Sequence, residues 1–184
     1  FTAGADEAWQ LYEAGDIDYI AHLPDSVIAE LSQDESWKPT AVYATASVLY
    51  NNESDTFSNE HIRKAFDLAI DRTAVTKAAG AENRAATGLV PHGIPDAGET
   101  EDDFRTTGGT LCAIDEESLG ERQDKAREEL TFAGYYSNAM FPPIELLYVS
   151  GTENDAVAAL LQQTWSSVLS VNVMLHGVTQ AEYE

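Results

Sequence analysis

The chain has 184 residues, with 32 Asp and Glu against 10 Lys and Arg, a formal charge of −22 and one cysteine. Its apolar runs fall far short of the roughly 20 residues a helix needs to cross a bilayer, and its charge repels anionic lipid and phosphate backbones alike. A membrane span within this segment is ruled out, nucleic-acid binding is argued against, and a hydrophobic content of 43% is enough for a buried core.

In chain order, Ala5, Ala8, Trp9 and Tyr12 recur at helical spacing, and Gly15 stands where a helix stop belongs. Ile17-Asp18-Tyr19-Ile20 reads as a strand, and Pro24 opens a helix through Leu31. Residues 41–50 are rich in β-formers, end at Asn51-Asn52, and read as the chain's most convincing long strand. Ser58 is placed to cap a helix whose stripe of Ile62, Ala65, Phe66, Ala69 and Ile70 faces one way. From Gly80 to about Glu117 periodicity gives way to Pro, Gly and acids, which predicts an irregular excursion. A helix over about Leu119 to Ala133 stops at Gly134. A strand follows over 144–149, then a helix starting at about Asn154 and marked by Val157, Leu160, Leu161, Thr164 and Val168, then an alternating strand over Val171 to Leu175. Strand, helix, strand at this spacing is a βαβ unit, so the fold class is α/β. Phe1 is not an initiator Met, and only nine residues follow the last strand, so the chain reads as a piece of something longer.

The search for chemistry returns little. His22, His61, His92 and His176 are isolated, and no nucleophile elbow or phosphate-cradling glycine loop occurs. Asp16 and Asp18 read as a solvated edge, and Glu101-Asp102-Asp103 as a solvated loop rather than a calcium site. Cys112 forms neither an internal disulfide nor a zinc site and reads as a small apolar side chain. Trp9 and Trp165 lie on predicted helices and read as core. No enzyme and no cofactor is expected. Residues 1–60 hold 12 acids and one base (Lys38), residues 61–92 three acids and five bases, and no Lys or Arg follows Arg127.

Four ordered segments carry a resemblance: Ala8 to Asp18 with Leu23-Pro24; Tyr50-Asn51-Asn52 with Phe57 to Asn59 and Ile62 to Arg72; Ala85 to Gly93; and Lys125 to Leu130, Ala133 to Tyr135, then Leu161-Gln162-Gln163 through Val173. Together they resemble the solute-binding proteins of peptide-type ABC importers over nearly the whole chain. Ser170 departs from a glycine the family usually carries there, and residues 96–118 match no family segment firmly. The resemblance implies a two-lobed, extracytoplasmic binding protein, in the periplasm or held at the cell surface as a lipoprotein, that closes on a peptide and passes it to membrane permease subunits. Residues 1–184 look like most of its second lobe, a single α/β unit. Within the motif, Arg63 and the Asp71-Arg72 pair are expected to fix the helix and the turn after it. In the family, the acidic residue that pairs with a peptide's amine lies in a later, tryptophan-containing segment.

The start of the helix at about Asn154 is the candidate ligand seat, because a helix N-terminus offers free N–H groups and a positive dipole end. Dipeptide-specific relatives place an Arg there; this chain has Asp155, which favours longer or cationic ligands, or merely suits a helix N-terminus on a solvated surface. Two other readings stay open: a ligand-sensing lobe of a transcription regulator, and an acidic hydrolase whose catalytic groups lie elsewhere.

Overall fold

Ile62, Ala65, Phe66 and Ala69 fall on one face of helix α3 (Glu60–Ala69), and all four are buried. In the computed structural model, which describes residues 4–184 apart from 22, 36, 39, 41, 81–82, 99–101, 116–117 and 137–140, the chain divides into two units, Phe1–Ala41 and Val42–Glu184.

The first unit carries α1 (Ala5–Glu13) and α2 (Asp25–Leu31). Helix α1 stops because Gly15 takes φ +79°, letting Gly15 N–H donate to Tyr12 O and Asp16 N–H to Leu11 O, which satisfies carbonyls the helix would leave bare. The strand expected over Ile17 to Ile20 does not form: no ladder partner exists among the described residues, and Asp18 and Tyr19 point to solvent. Trp9, expected in a core, is half-buried and stacked on Tyr12. His22 lies outside the described residues.

The second unit begins with an extended stretch over described residues 42–50, where the most convincing strand was expected. It pairs with nothing among the described residues and leaves Val42 and Leu49 at 81% and 86% exposure. β-propensity measures fit to a pleated, half-buried surface, so it is silent when no neighbouring strand supplies that surface. Helix α3 is capped by Asn59 rather than Ser58; Asn59 Oδ1 accepts from His61 N–H at 2.9 Å. It ends where Ile70 turns extended, and Asp71 caps α4 (Arg72–Ala78).

The excursion is more ordered than its composition suggests. Phe104 N–H donates to Ile94 O, Asp96 N–H to Asp102 O, and Asp103 caps the one-turn helix α5 (Phe104–Thr107) while holding Gly93 N–H and His92. Glu101 lies outside the described residues. Helix α6 (Leu119–Phe132) ends at Gly134, φ +94°, in the same way that α1 does: Gly134 N–H meets Thr131 O and Tyr135 N–H meets Leu130 O.

Strand β1 (Ile144–Val149), helix α7 (Thr152–Leu169) and strand β2 (Val173–Val178) form the expected βαβ unit, parallel, in register from Ile144 opposite Val173 to Val149 opposite Val178. A short α8 (Gln180–Tyr183) follows behind a Thr179–Glu182 capping box. Helices α3, α6 and α7 enclose the core. Its centre is Trp165, 2% exposed, whose ring lies 5.2 Å from that of Phe66 and whose indole N–H donates to Phe66 O at 2.9 Å.

Candidate functional site

The N-terminal end of α7 is built by the chain reversal after β1. Gly151, the N-cap, takes φ +150° and ψ 161°, a region essentially reserved for glycine, and it has no side chain to close the first turn's N–H groups. Asn154, one of the two residues singled out in the sequence, turns back and donates from Nδ2 to Val149 O at 3.0 Å, tying the helix to the end of β1. Asp155, the other, donates its own N–H to Gly151 O at 2.9 Å and presents its carboxylate to Tyr148. Burial pushes the Tyr148 phenol above its ordinary value, and the hydrogen bond to Asp155 and that residue's charge push the same way. The helix starts two residues earlier than expected, so both residues lie within its first turn.

Helix α4 packs on α7 and carries a second wall to this end. Thr73, Thr76 and Lys77 of α4, with Gly80, Asn83 and Ala85 beyond it, line a cavity of about 250 Å³. Gly80 at φ +107° ends the helix, and Asn83 Nδ2 donates to Ala79 O at 2.5 Å. A Cβ on Gly80 would stand 3.6 Å from Glu153 Oε1, so the loop after α4 and the first turn of α7 meet there. These residues were not singled out in the sequence. The readable signal was Gly80 as a helix stop; its approach to Glu153, 73 positions on, leaves no trace in local spacing.

The motif residues do other work. Arg63 Nη1 donates to Phe57 O at 2.6 Å and Ser58 O at 3.0 Å, gathering the turn that enters α3. Asp71 Oδ1 accepts from Ala74 N–H at 3.0 Å, and Arg72 Nη2 reaches Asp67 Oδ1 at 2.6 Å across the α3–α4 break. Arg63 and Asp71 do not line the cavity beside α7.

Each described histidine faces a carboxylate: His61 with Glu129 at 2.6 Å, His92 with Asp103 at 2.9 Å, and His176 with Glu145. Among the described residues, no group of three or more His, Cys, Asp or Glu is arranged to hold a metal, and no helix is long and apolar enough to cross a membrane. What the end of α7 offers is recognition: a first turn that its N-cap residue does not close with a side chain, an amide, a phenol and two carboxylates, on a helix against which α4 packs.

The chain is 25% identical over 170 residues to the dipeptide-binding protein DppE of Bacillus subtilis, covering 91% of this chain and 29% of that protein. Its fold is similar to that of Haemophilus influenzae OppA solved in complex with RPPGFSPFR, with a TM-score of 0.68 and 23% identity over 97% of this chain and 34% of that one. It is also similar to a periplasmic oligopeptide-binding protein, OppAIV, of Borrelia burgdorferi, with a TM-score of 0.72 and 20% identity over 99% and 34%. The chain thus spans about a third of the length of the relatives it matches. The fold is that of the periplasmic peptide-binding proteins, mixed α/β with a small parallel sheet and packed helices. A family model spans residues 1–184 end to end, and the chain belongs to the bacterial extracellular solute-binding proteins, family 5 Middle.

Proposed function

We propose that this chain is part of an extracytoplasmic, non-catalytic binding protein that captures peptides and delivers them to the membrane permease of an ABC importer. In that protein, residues 1–184 would form most of one of two lobes, and the N-terminal end of α7 would line the cleft between them. The observation that carries the reading is the family match over all 184 residues. The relatives' own ligands support it: DppE is a dipeptide-binding protein, and OppA of Haemophilus influenzae was solved with RPPGFSPFR. The chemistry of the α7 end fits as well, since backbone donors, an amide and carboxylates match the C=O, N–H and cationic groups of a peptide.

Glu153 and Asp155 oppose a ligand carboxylate at this end, so the reading extends to ligands that are longer or cationic rather than dipeptides. The test is calorimetric titration of the full-length protein with pentapeptides, dipeptides, free amino acids and sugars. Saturable heat with peptides alone is expected; saturation by a sugar or an amino acid with no response to peptides would overturn the proposal.

A further inference from the structure

A second cavity, of about 320 Å³, lies on another part of the same unit and shares no lining residue with the one beside α7. Its volume falls within the ~300–1,000 Å³ of small-molecule sites. Three of the chain's ten Lys and Arg residues converge on it: Arg72 at the start of α4, and Arg122 and Lys125 on α6. We propose that this cavity binds a small oxyanion, a phosphate or carboxylate, through Arg72, Arg122 and Lys125.

Arg122 carries the argument. It is 8% exposed, its Nη1 donates to Asp115 O at 3.2 Å and Ser118 Oγ at 2.6 Å, and its buried Nε has no partner among the described residues. A guanidinium held in place through one nitrogen while another buried N–H stays unanswered is a donor set short of an acceptor. Arg72 spends one N–H on Asp67, and Lys125 has no ion pair among the described residues. Two acids, Asp67 and Glu121, also line the cavity; Asp67 is engaged by Arg72, and Glu121 stands exposed. The chain's overall charge of −22 repels anions, but at 0.1 M salt that field is screened beyond about 10 Å, and among the lining residues three cations stand against two acids, with the Asp115 carboxylate also near Arg122.

The chain supplies its own reporter, because its single cysteine, Cys112, is half-buried and lines the same cavity. The full-length protein is alkylated with anionic iodoacetate and with neutral iodoacetamide, and the peptide carrying Cys112 is quantified by mass spectrometry beside N-acetylcysteine in the same buffer. The iodoacetate to iodoacetamide rate ratio is expected to exceed that of N-acetylcysteine by roughly threefold or more, as local charge concentrates anions. Inorganic phosphate or succinate should protect Cys112, whereas chloride at equal ionic strength should not; which of the two protects better identifies the oxyanion class. Arg122→Gln and the exposed-site variant Lys125→Gln should each lower the ratio. A wild-type ratio at or below that of N-acetylcysteine, a ratio unmoved by Lys125→Gln, or no protection by either oxyanion overturns the proposal.

Discussion

Ser170 holds φ +57° and ψ 36°, and it is the non-glycine residue with positive φ among those described. Left-handed backbone costs an L-residue roughly 1–2 kcal/mol, while glycine gives back part of that in unfolded-state entropy. Ser170→Gly should therefore stabilise the protein by about 0.5–1 kcal/mol, read as a rise in urea midpoint with an unchanged slope. A lower midpoint would show that the serine makes a compensating contact. The sequence marked this position, since Ser170 stands where a glycine is usual, but the left-handed turn that explains the glycine is visible only in the backbone. Asp155 is the residue-scale test of ligand choice. Replacing it with Arg exchanges repulsion for attraction at the helix start, and the dipeptide to pentapeptide affinity ratio of the full-length protein should rise by roughly tenfold. An unchanged ratio in calorimetry would place the ligand's end elsewhere.

Elements with their own periodicity or stop signals were legible. The stripe of α3, the glycine ends of α1 and α6, and the β1–α7–β2 unit follow from spacing and chain chirality. Residues 42–50 and Ile17 to Ile20 were not, because a strand is a property of a pair and no partner lies among the described residues. The excursion was illegible for a different reason: Asp96, Asp103 and Thr107 organise it through side chain to backbone and side chain to side chain bonds that carry no period. Those bonds predict an acid response. The N–H of Arg105, then His92 and the N–H of Gly93, hold the Asp103 carboxyl below the usual carboxylate range, and Thr107 with the N–H of Ala97 does the same for Asp96. A folded value below the unfolded one, near 3.9, means the contribution is complete above that pH and is lost as pH falls through the folded value. The amide resonances of Gly93, Ala97 and Arg105 should thus titrate with midpoints below that of an unfolded Asp. Midpoints at or above it would remove Asp103 and Asp96 as the clasps of the excursion.

At the scale of the whole molecule, 32 acids over 10 bases leave self-repulsion that no set of local pairs can offset. Salt shortens its reach from about 30 Å at 0.01 M to under 10 Å above 0.1 M, so the melting temperature of residues 1–184 should rise between ~0.01 M and ~0.5 M NaCl. A fall across that range would mean that attractive pairs, not repulsion, dominate the surface. The molecule-scale claim that matters most is that the end of α7, faced by the loop after α4, lines a peptide cleft. Hydrogen exchange on the full-length protein, with and without saturating peptide, tests it most directly. The account predicts that peptide slows exchange at the amides of Gly151 to Asp155 and at Gly80 and Asn83; protection confined to other parts of the protein, with these amides unchanged, would contradict it.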